Sequence, residues 1–241
     1  MNNSAAVKQT SLKFRAAFIE PMLCAPVKEL PEGPDWEYEH ELKLDGYRAL
    51  GLKSEGRAWL YSRNGKDFSG RFPSVTRALE ALPDETLIDG EVVAVDKQGK
   101  PSFSSLQNFD RAPMFYAFDL PTHAGEDLKQ RSLDERRKAL RKLTRQLKDP
   151  IRFSETFDAT AADMLAVVRE QELEGVVAKR RDSHYEPGSR SGAWVKMRVN
   201  RRQDFIIGIV VAINFLEWTP DNRLRHPSFI ERTDHSQSQR R

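Results

Sequence analysis

A single cysteine, Cys24, and five histidines stand in 241 residues. One thiol closes no intrachain disulfide and excludes a cysteine-based zinc site; it fits a reducing cytoplasm. Long apolar runs are also lacking. The longest, Phe205 to Leu216, is 12 residues interrupted by Gly208 and Asn214, too short to span a bilayer. The first twenty residues carry Lys8, Lys13 and Arg15 but no apolar stretch of the secretory kind, so no such signal is expected there. Thirteen glycines and thirteen prolines are too few for a collagen-like chain, and a hydrophobic share of 39% is enough to exclude a fully disordered one. The length suits one to two domains with a sizeable core.

Charge is balanced in total, 39 Lys plus Arg against 36 Asp plus Glu, but strongly segregated. Glu29 to Asp45 holds seven acids and one base, Lys43. Lys129 to Lys148 holds nine bases and two acids, and Lys179 to Arg202 eight and two. Two basic segments suggest a polyanion partner, nucleic acid or nucleotide phosphates. The alternative is a solvated helix face and a basic loop.

Residues 1 to 17 read as a loose polar lead-in, and Ser236 to Arg241 as a polar tail. Trp36 to Leu42 alternates with a period of two, a half-buried strand that ends before an Asp45-Gly46 turn. Tyr47 to Lys53 and Arg57 to Ser62 are strand-like runs split by Ser54-Glu55-Gly56. Pro73 suits the first position of a helix carrying Val75, Leu79 and Leu82. Leu87 to Val95 and Met114 to Leu120 read as strands. Ser132 with Glu135 is a capping-box signature. The helix after it sets Leu133, Leu140, Leu143 and Leu147 on one side, so its Arg and Lys residues are expected to form the outer face. Ala159 to Gln171 reads as a further helix, and Gly175 to Lys179 and Ala193 to Val199 as strands around a loop rich in Gly, Ser and Arg. This order predicts a mixed α+β fold with antiparallel hairpins rather than regular βαβ units.

Lys43 is the residue on which chemistry could turn. It sits in Glu41-Leu-Lys-Leu-Asp-Gly-Tyr-Arg48, and alternation puts Glu41, Lys43 and Asp45 on one face. A lysine acts as a covalent nucleophile only when neutral, which burial or nearby cations promote. By itself the residue reads as an ordinary salt-bridged lysine at a strand edge.

Lys43-x-Asp45-Gly46-x-Arg48 resembles the nucleotidyl-lysine motif of ATP-dependent DNA ligases, RNA ligases and capping enzymes. Ser62-Arg63-Asn64-Gly65, Asp89-Gly90-Glu91, Phe118-Asp119-Leu120, Glu174-Gly175-Val-Val-Ala-Lys179 and Trp194-Val-Lys196-Met-Arg198 resemble the motifs that follow in that superfamily, in the same order. Pro21-Met22-Leu23, Gly125-x-Asp127-Leu128 and Tyr185-x-Pro187-Gly188 are closest to the ligase domain of bacterial non-homologous end-joining DNA ligases. The resemblance runs from about residue 18 to 207. It implies an α+β nucleotidyltransferase fold, an ATP-grasp-like adenylation fold, over residues 18 to 201. It implies ATP as substrate and Mg²⁺ or Mn²⁺ as cofactor. It also implies a bacterial, nucleoid-associated protein acting on double-stranded DNA with nicks or ends, with repair proteins as partners and no membrane.

The resemblance implies roles that suit each residue type. Lys43 would attack the α-phosphorus of ATP and hold AMP as a phosphoramidate. Glu41, Arg48, Arg63, Glu91 and Phe118 would bind the nucleotide, Phe118 by offering a ring to adenine and the arginines by donating to ribose or phosphate oxygens. Glu91 and Glu174 would hold the metal. Lys196 and Arg198, two apart on a strand, would clamp the α-phosphate. The family pattern has lysine where Arg198 stands.

Arg202 to Gly208 resembles the entry strand of the OB-fold domain that follows in these ligases, and Glu217 to Phe229 resembles its far end. Only Ile209 to Leu216 lie between. Five strands at ~5–6 residues each, plus turns, need more than the residues present, so residues 202 to 235 are expected to be an OB-fold remnant left by an internal deletion. The rival readings are a degenerate remnant that binds ATP or DNA without completing ligation, and an RNA ligase or capping enzyme.

Overall fold

The computed structural model describes residues 14–31, 37–95, 101–157, 159–199, 201–206, 210–219 and 223–233. In chain order these form β1 (Ala25–Pro26), β2 (Tyr38–Leu42), β3 (Tyr47–Ser54), β4 (Arg57–Ser62), α1 (Pro73–Leu79), β5 (Thr86–Val93), α2 (Phe103–Gln107), β6 (Met114–His123) and β7 (Glu126–Asp127). There follow α3 (Leu133–Thr144), β8 (Ile151–Phe153), α4 (Ala161–Glu170), β9 (Gly175–Arg180), β10 (Trp194–Arg198), β11 (Arg201–Ile206), β12 (Val210–Phe215) and β13 (Ser228–Thr233).

Three sheets result. One has the order β4-β3-β5-β6-β7, with β8 joining β6 in parallel. A second has the order β1-β10-β9-β2, antiparallel except where β1 pairs with β10. The third is β11-β12-β13, antiparallel throughout. The mixed α+β content and the antiparallel pairing follow the sequence expectation. The two short elements α2 and β8 were not legible in it, because five and three residues carry too little periodicity to register.

Each of the first two sheets is covered by helices whose apolar spacing suits it. Phe72, Val75, Leu79, Leu82, Leu140 and Leu143, on or beside α1 and α3, pack with Leu60, Ile88, Val92 and Phe115 of the first sheet. Met164 and Val168 of α4 pack on Val176, Ala178 and Val195 of the second. A third cluster, Met22, Phe118, Leu133, Tyr185 and Trp194, brings together β6, β10, the start of α3 and the β9–β10 loop. The capping box predicted at Ser132 is present: its hydroxyl accepts from the Glu135 N–H, and the Glu135 carboxylate accepts from the Ser132 N–H. Thr160 caps α4 in the same way through the Asp163 N–H.

Two motif glycines are required by close approach. A Cβ on Gly46 would lie 2.1 Å from the Val92 carbonyl oxygen. Gly175 has φ +156°, and a Cβ there would lie 2.1 Å from the Met197 carbonyl oxygen. The Gly175 carbonyl also accepts from the Lys43 N–H at 2.9 Å, which fixes the start of the loop after β2.

Of the expected lead-in, residues 1–13 lie outside the described residues, as do Trp36 and the tail 236–241. Residues 14–17 have no regular structure, yet Ala16 is buried and its N–H donates to the Glu85 carboxylate at 2.7 Å.

One expectation is corrected. The basic residues of α3 do not all face outward, for Arg136 and Arg137 are buried, 0% and 5% exposed. Arg136 makes a paired, two-bond contact with Asp119 at 2.7 and 2.9 Å. Arg137 reaches through the core to β2. The reason lies in helix geometry: between Leu133 and Leu140, positions 136 and 137 fall on the same stripe as the leucines.

Candidate active site

The first and second sheets meet around a cavity of about 440 Å³. Its lining includes all eight residues expected to act on a nucleotide or metal apart from Lys43: Glu41, Arg48, Arg63, Glu91, Phe118, Glu174, Lys196 and Arg198. Lys43 lines it too. They come from β2, β3, β5, β6, β10, the β4–α1 loop and the turn before β9. Residues far apart in sequence therefore share one space.

Lys43 lies one residue past the end of β2. Its Nζ donates to Glu174 Oε2 at 2.6 Å, and both side chains are largely buried. Arg198 Nε stands 3.4 Å from the other oxygen of Glu174. One carboxylate thus bridges the candidate nucleophile and a candidate phosphate-binding cation. Lys196, two residues before Arg198 on β10, lines the same cavity; burial and then the Lys43 charge lower its pKa from the ordinary lysine value.

Arg48 is held rather than free. Its Nε and Nη2 donate to the two oxygens of Asp89, both at 2.6 Å, and Nη2 also donates to the Met22 carbonyl at 3.2 Å. Tyr185 O–H donates to the same Asp89 at 2.6 Å. The Arg48 guanidinium carbon lies 4.5 Å from the centre of the Phe118 ring. Asp89 is therefore a positioning group for Arg48, and Glu91, two residues on along β5, reaches the cavity. Burial pushes the Glu91 carboxyl up to about 8; Lys43 and Arg48 oppose the rise and the charge on Glu174 adds to it.

The floor on the β2 side is a buried ionic cluster. Glu41 Oε1 accepts from Lys179 Nζ and from Arg137 Nη1, each at 2.6 Å. Lys179 Nζ also lies 4.3 Å from the Phe118 ring centre and 4.6 Å from that of Trp194. Phe118 is 8% exposed, so its ring is both part of the buried cluster and part of the cavity wall. Asp119, the next residue, is absorbed by Arg136 and does not line the cavity. Arg63 is exposed at the rim.

Among the described residues no group of three or more His, Cys, Asp or Glu side chains is arranged to hold a metal. Glu91 and Glu174 fit a different mode. A hard divalent cation is often bound by one or two carboxylates and completed by substrate phosphates and water.

Several residues of the site were not singled out from sequence as functional. Lys179 follows the alternation of β9, which sends Val177 and Lys179 to the cavity side. Cys24 lines the cavity, with its thiol pKa raised chiefly by burial. Arg225, from the segment before β13, also reaches the lining: its Nη1 donates to Asp45 Oδ1 and Oδ2 at 2.9 and 2.8 Å and to Glu217 Oε1 at 2.9 Å. No local pattern announces a contact across 180 residues.

Comparison with known proteins agrees with this geometry. The family model described as the ATP dependent DNA ligase domain matches residues 21–198. The multifunctional non-homologous end joining protein LigD of Pseudomonas aeruginosa is 40% identical over 197 residues, covering 79% of this chain and 23% of that protein. The chain thus spans about a quarter of the length of such curated relatives. The SPbeta prophage-derived DNA ligase-like protein LigB of Bacillus subtilis is 30% identical over 189 residues, covering 75% of this chain and 67% of that protein. Among solved structures, the ligase domain of M. tuberculosis LigD aligns with a TM-score of 0.71 at 26% identity, covering 89% of this chain and 95% of that one. Mycobacterial DNA ligase D complexed with ATP and MES aligns at 0.65 and 25% identity, covering 90% and 95%. With six motifs folded around one cavity and the family model matching most of its length, the chain belongs to the ATP-dependent DNA ligase domain family.

Proposed function

We propose that the chain catalyses ATP-dependent joining of nicks or ends in double-stranded DNA through a covalent Lys43–AMP intermediate, in DNA repair and recombination. One observation supports this above the rest: Lys43 lines a cavity whose wall also carries every other residue expected to touch the nucleotide. The Nζ lone pair attacks the α-phosphorus, the bond to pyrophosphate breaks, and the nitrogen gives up its proton. Glu174, 2.6 Å from Nζ, orients the amine and lies within reach of that proton. Lys196 and Arg198 stand on one side of β10, where they meet charge developing on the α-phosphate.

ATP is favoured over GTP by the pair Glu41 and Lys179. Adenine offers an amino donor at C6, whereas guanine offers an acceptor there. Glu41, whose carboxylate only accepts and which Lys179 holds at its other oxygen, matches the amino donor at that position and not the guanine acceptor. Glu91 and Glu174 would hold the Mg²⁺ or Mn²⁺ ion, which would supply charge neutralisation at the phosphates. The sheet β11-β12-β13 we read as the remnant of an OB-fold domain. The exposed cations at and near the rim, Arg63, Lys66, Arg190 and Arg198, suit contacts to duplex phosphates.

The test is incubation with α-labelled ATP and Mg²⁺, denaturing electrophoresis, and then a chase with nicked duplex DNA. A labelled protein band that passes its label to DNA and yields sealed product is expected. No band under any divalent ion, with nucleotide still bound, would overturn the catalytic reading.

A further inference from the structure

The base-binding side of the cavity depends on a residue that does not line it. Arg137 is buried in α3 and spends its guanidinium on four groups. Nη1 donates to Glu41 Oε1 at 2.6 Å and to the Phe118 carbonyl at 2.9 Å. Nη2 donates to the Ser154 carbonyl at 2.6 Å. Nε lies 3.0 Å from Glu39 Oε1, an ion-pair distance at which that oxygen makes no hydrogen bond. The guanidinium carbon sits 4.6 Å from the Phe153 ring centre, which fixes its plane.

We propose that Arg137 is the positioning residue for nucleobase discrimination: one planar fork holds both the Glu41 carboxylate and the backbone of Phe118 in the register at which a 6-aminopurine is recognised. The argument is geometric. Glu41 sits on β2 and Phe118 on β6, strands of different sheets. A carboxylate that accepts from a base and a ring that stacks on it must keep a fixed mutual distance, and no strand pairing sets that distance. A single nitrogen of Arg137 bonds to both residues, so it sets the distance directly. Both donors to Glu41, Arg137 and Lys179, meet the same oxygen, Oε1. The other oxygen, Oε2, is then the atom that meets the amino group of the base. Lysine at position 137 keeps the charge but loses the fork, and a point charge cannot bond to four separated acceptors in one plane.

This rests on the reading that Glu41 accepts from the 6-amino group, and the experiment separates the two. Binding of ATP and of purine riboside triphosphate, which lacks that amino group, is measured by calorimetry in EDTA on the full chain, for wild type, Arg137→Lys and Glu39→Gln. Wild type should bind ATP roughly 10-fold or more tightly than the analogue, the scale of a hydrogen bond to a charged group. In Arg137→Lys the ratio should fall to about threefold or less, chiefly through weaker ATP binding. A merely structural role would weaken both ligands alike and leave the ratio unchanged. A wild-type ratio near one would overturn the reading of Glu41. A large wild-type ratio that survives in Arg137→Lys would overturn the role of Arg137 while leaving Glu41 in place. Should Arg137→Lys lose its cooperative melting transition, Glu39→Gln decides. It keeps the fork and frees it from a competing acid, so a larger ratio supports the proposal and an unchanged or smaller one overturns it.

Discussion

Arg225 and Asp45 lie 180 residues apart and form a two-contact ion pair at the edge of the nucleotide cavity, with Nη1 2.9 and 2.8 Å from the two carboxylate oxygens. The Arg225 guanidinium also lies 3.8 Å from the Phe103 ring centre. The segment before β13 is therefore tied to the turn that follows Lys43. Both partners are partly buried, at 18% and 14% side-chain exposure, so the pair is screened less than a surface one. Arg225→Ala and Asp45→Asn should each lower stability, and a double-mutant cycle by urea unfolding should give a coupling of about 1–3 kcal/mol. Coupling near zero would show that the contact does not hold the segment.

Lys43→Ala should abolish the protein–AMP adduct and leave the melting temperature close to that of wild type. Lys43→Arg should fail equally, because a guanidinium stays protonated in proteins. Peptide mapping by mass spectrometry checks the site; AMP on another lysine would refute the assignment.

Phe118→Ala should show two losses at once. The ring belongs to a buried cluster, so stability should fall by about 3–5 kcal/mol. It also lines the cavity, so ATP affinity should fall by about 1–3 kcal/mol if adenine stacks there. Chemical denaturation and calorimetry read the two separately. A stability loss alone would make Phe118 a core residue only.

Burial pushes the Glu39 carboxyl up to about 7; Arg137 opposes the rise and Glu41 reinforces it. The folded chain then keeps a proton that the unfolded chain, near 4.5, has already released. Native protein binds more protons between those values, so stability should fall as pH rises from about 4.5 to 7. Glu39→Gln should flatten that part of the profile. An unchanged slope in the variant would place the titration elsewhere.

Binding to duplex DNA should be independent of sequence and should weaken steeply with salt, in proportion to the phosphates neutralised. Replacing Arg63 and Arg190 together should reduce the salt slope by about two, one for each lost phosphate contact. Fluorescence anisotropy at several salt concentrations decides it, and an unaltered slope would remove both residues from the interface.

The sequence by itself determined the candidate nucleophile, the order of the motifs and most of the regular elements. These are local matters. The strand Tyr38–Leu42 and the Ser132–Glu135 cap are dictated by backbone geometry within a few residues. Tertiary structure decided which charges face which. Arg136 and Arg137 looked like parts of a solvated basic face, yet the leucine stripe of α3 carries them inward, where Asp119, Glu39 and Glu41 await them. Burying an arginine is tolerable only where a carboxylate is already placed, and that placement comes from β2 and β6, not from the helix. The same holds for Asp45 and Arg225: each is an ordinary charged residue in its own segment, and only the approach of the segment before β13 to the turn after Lys43 makes them a pair.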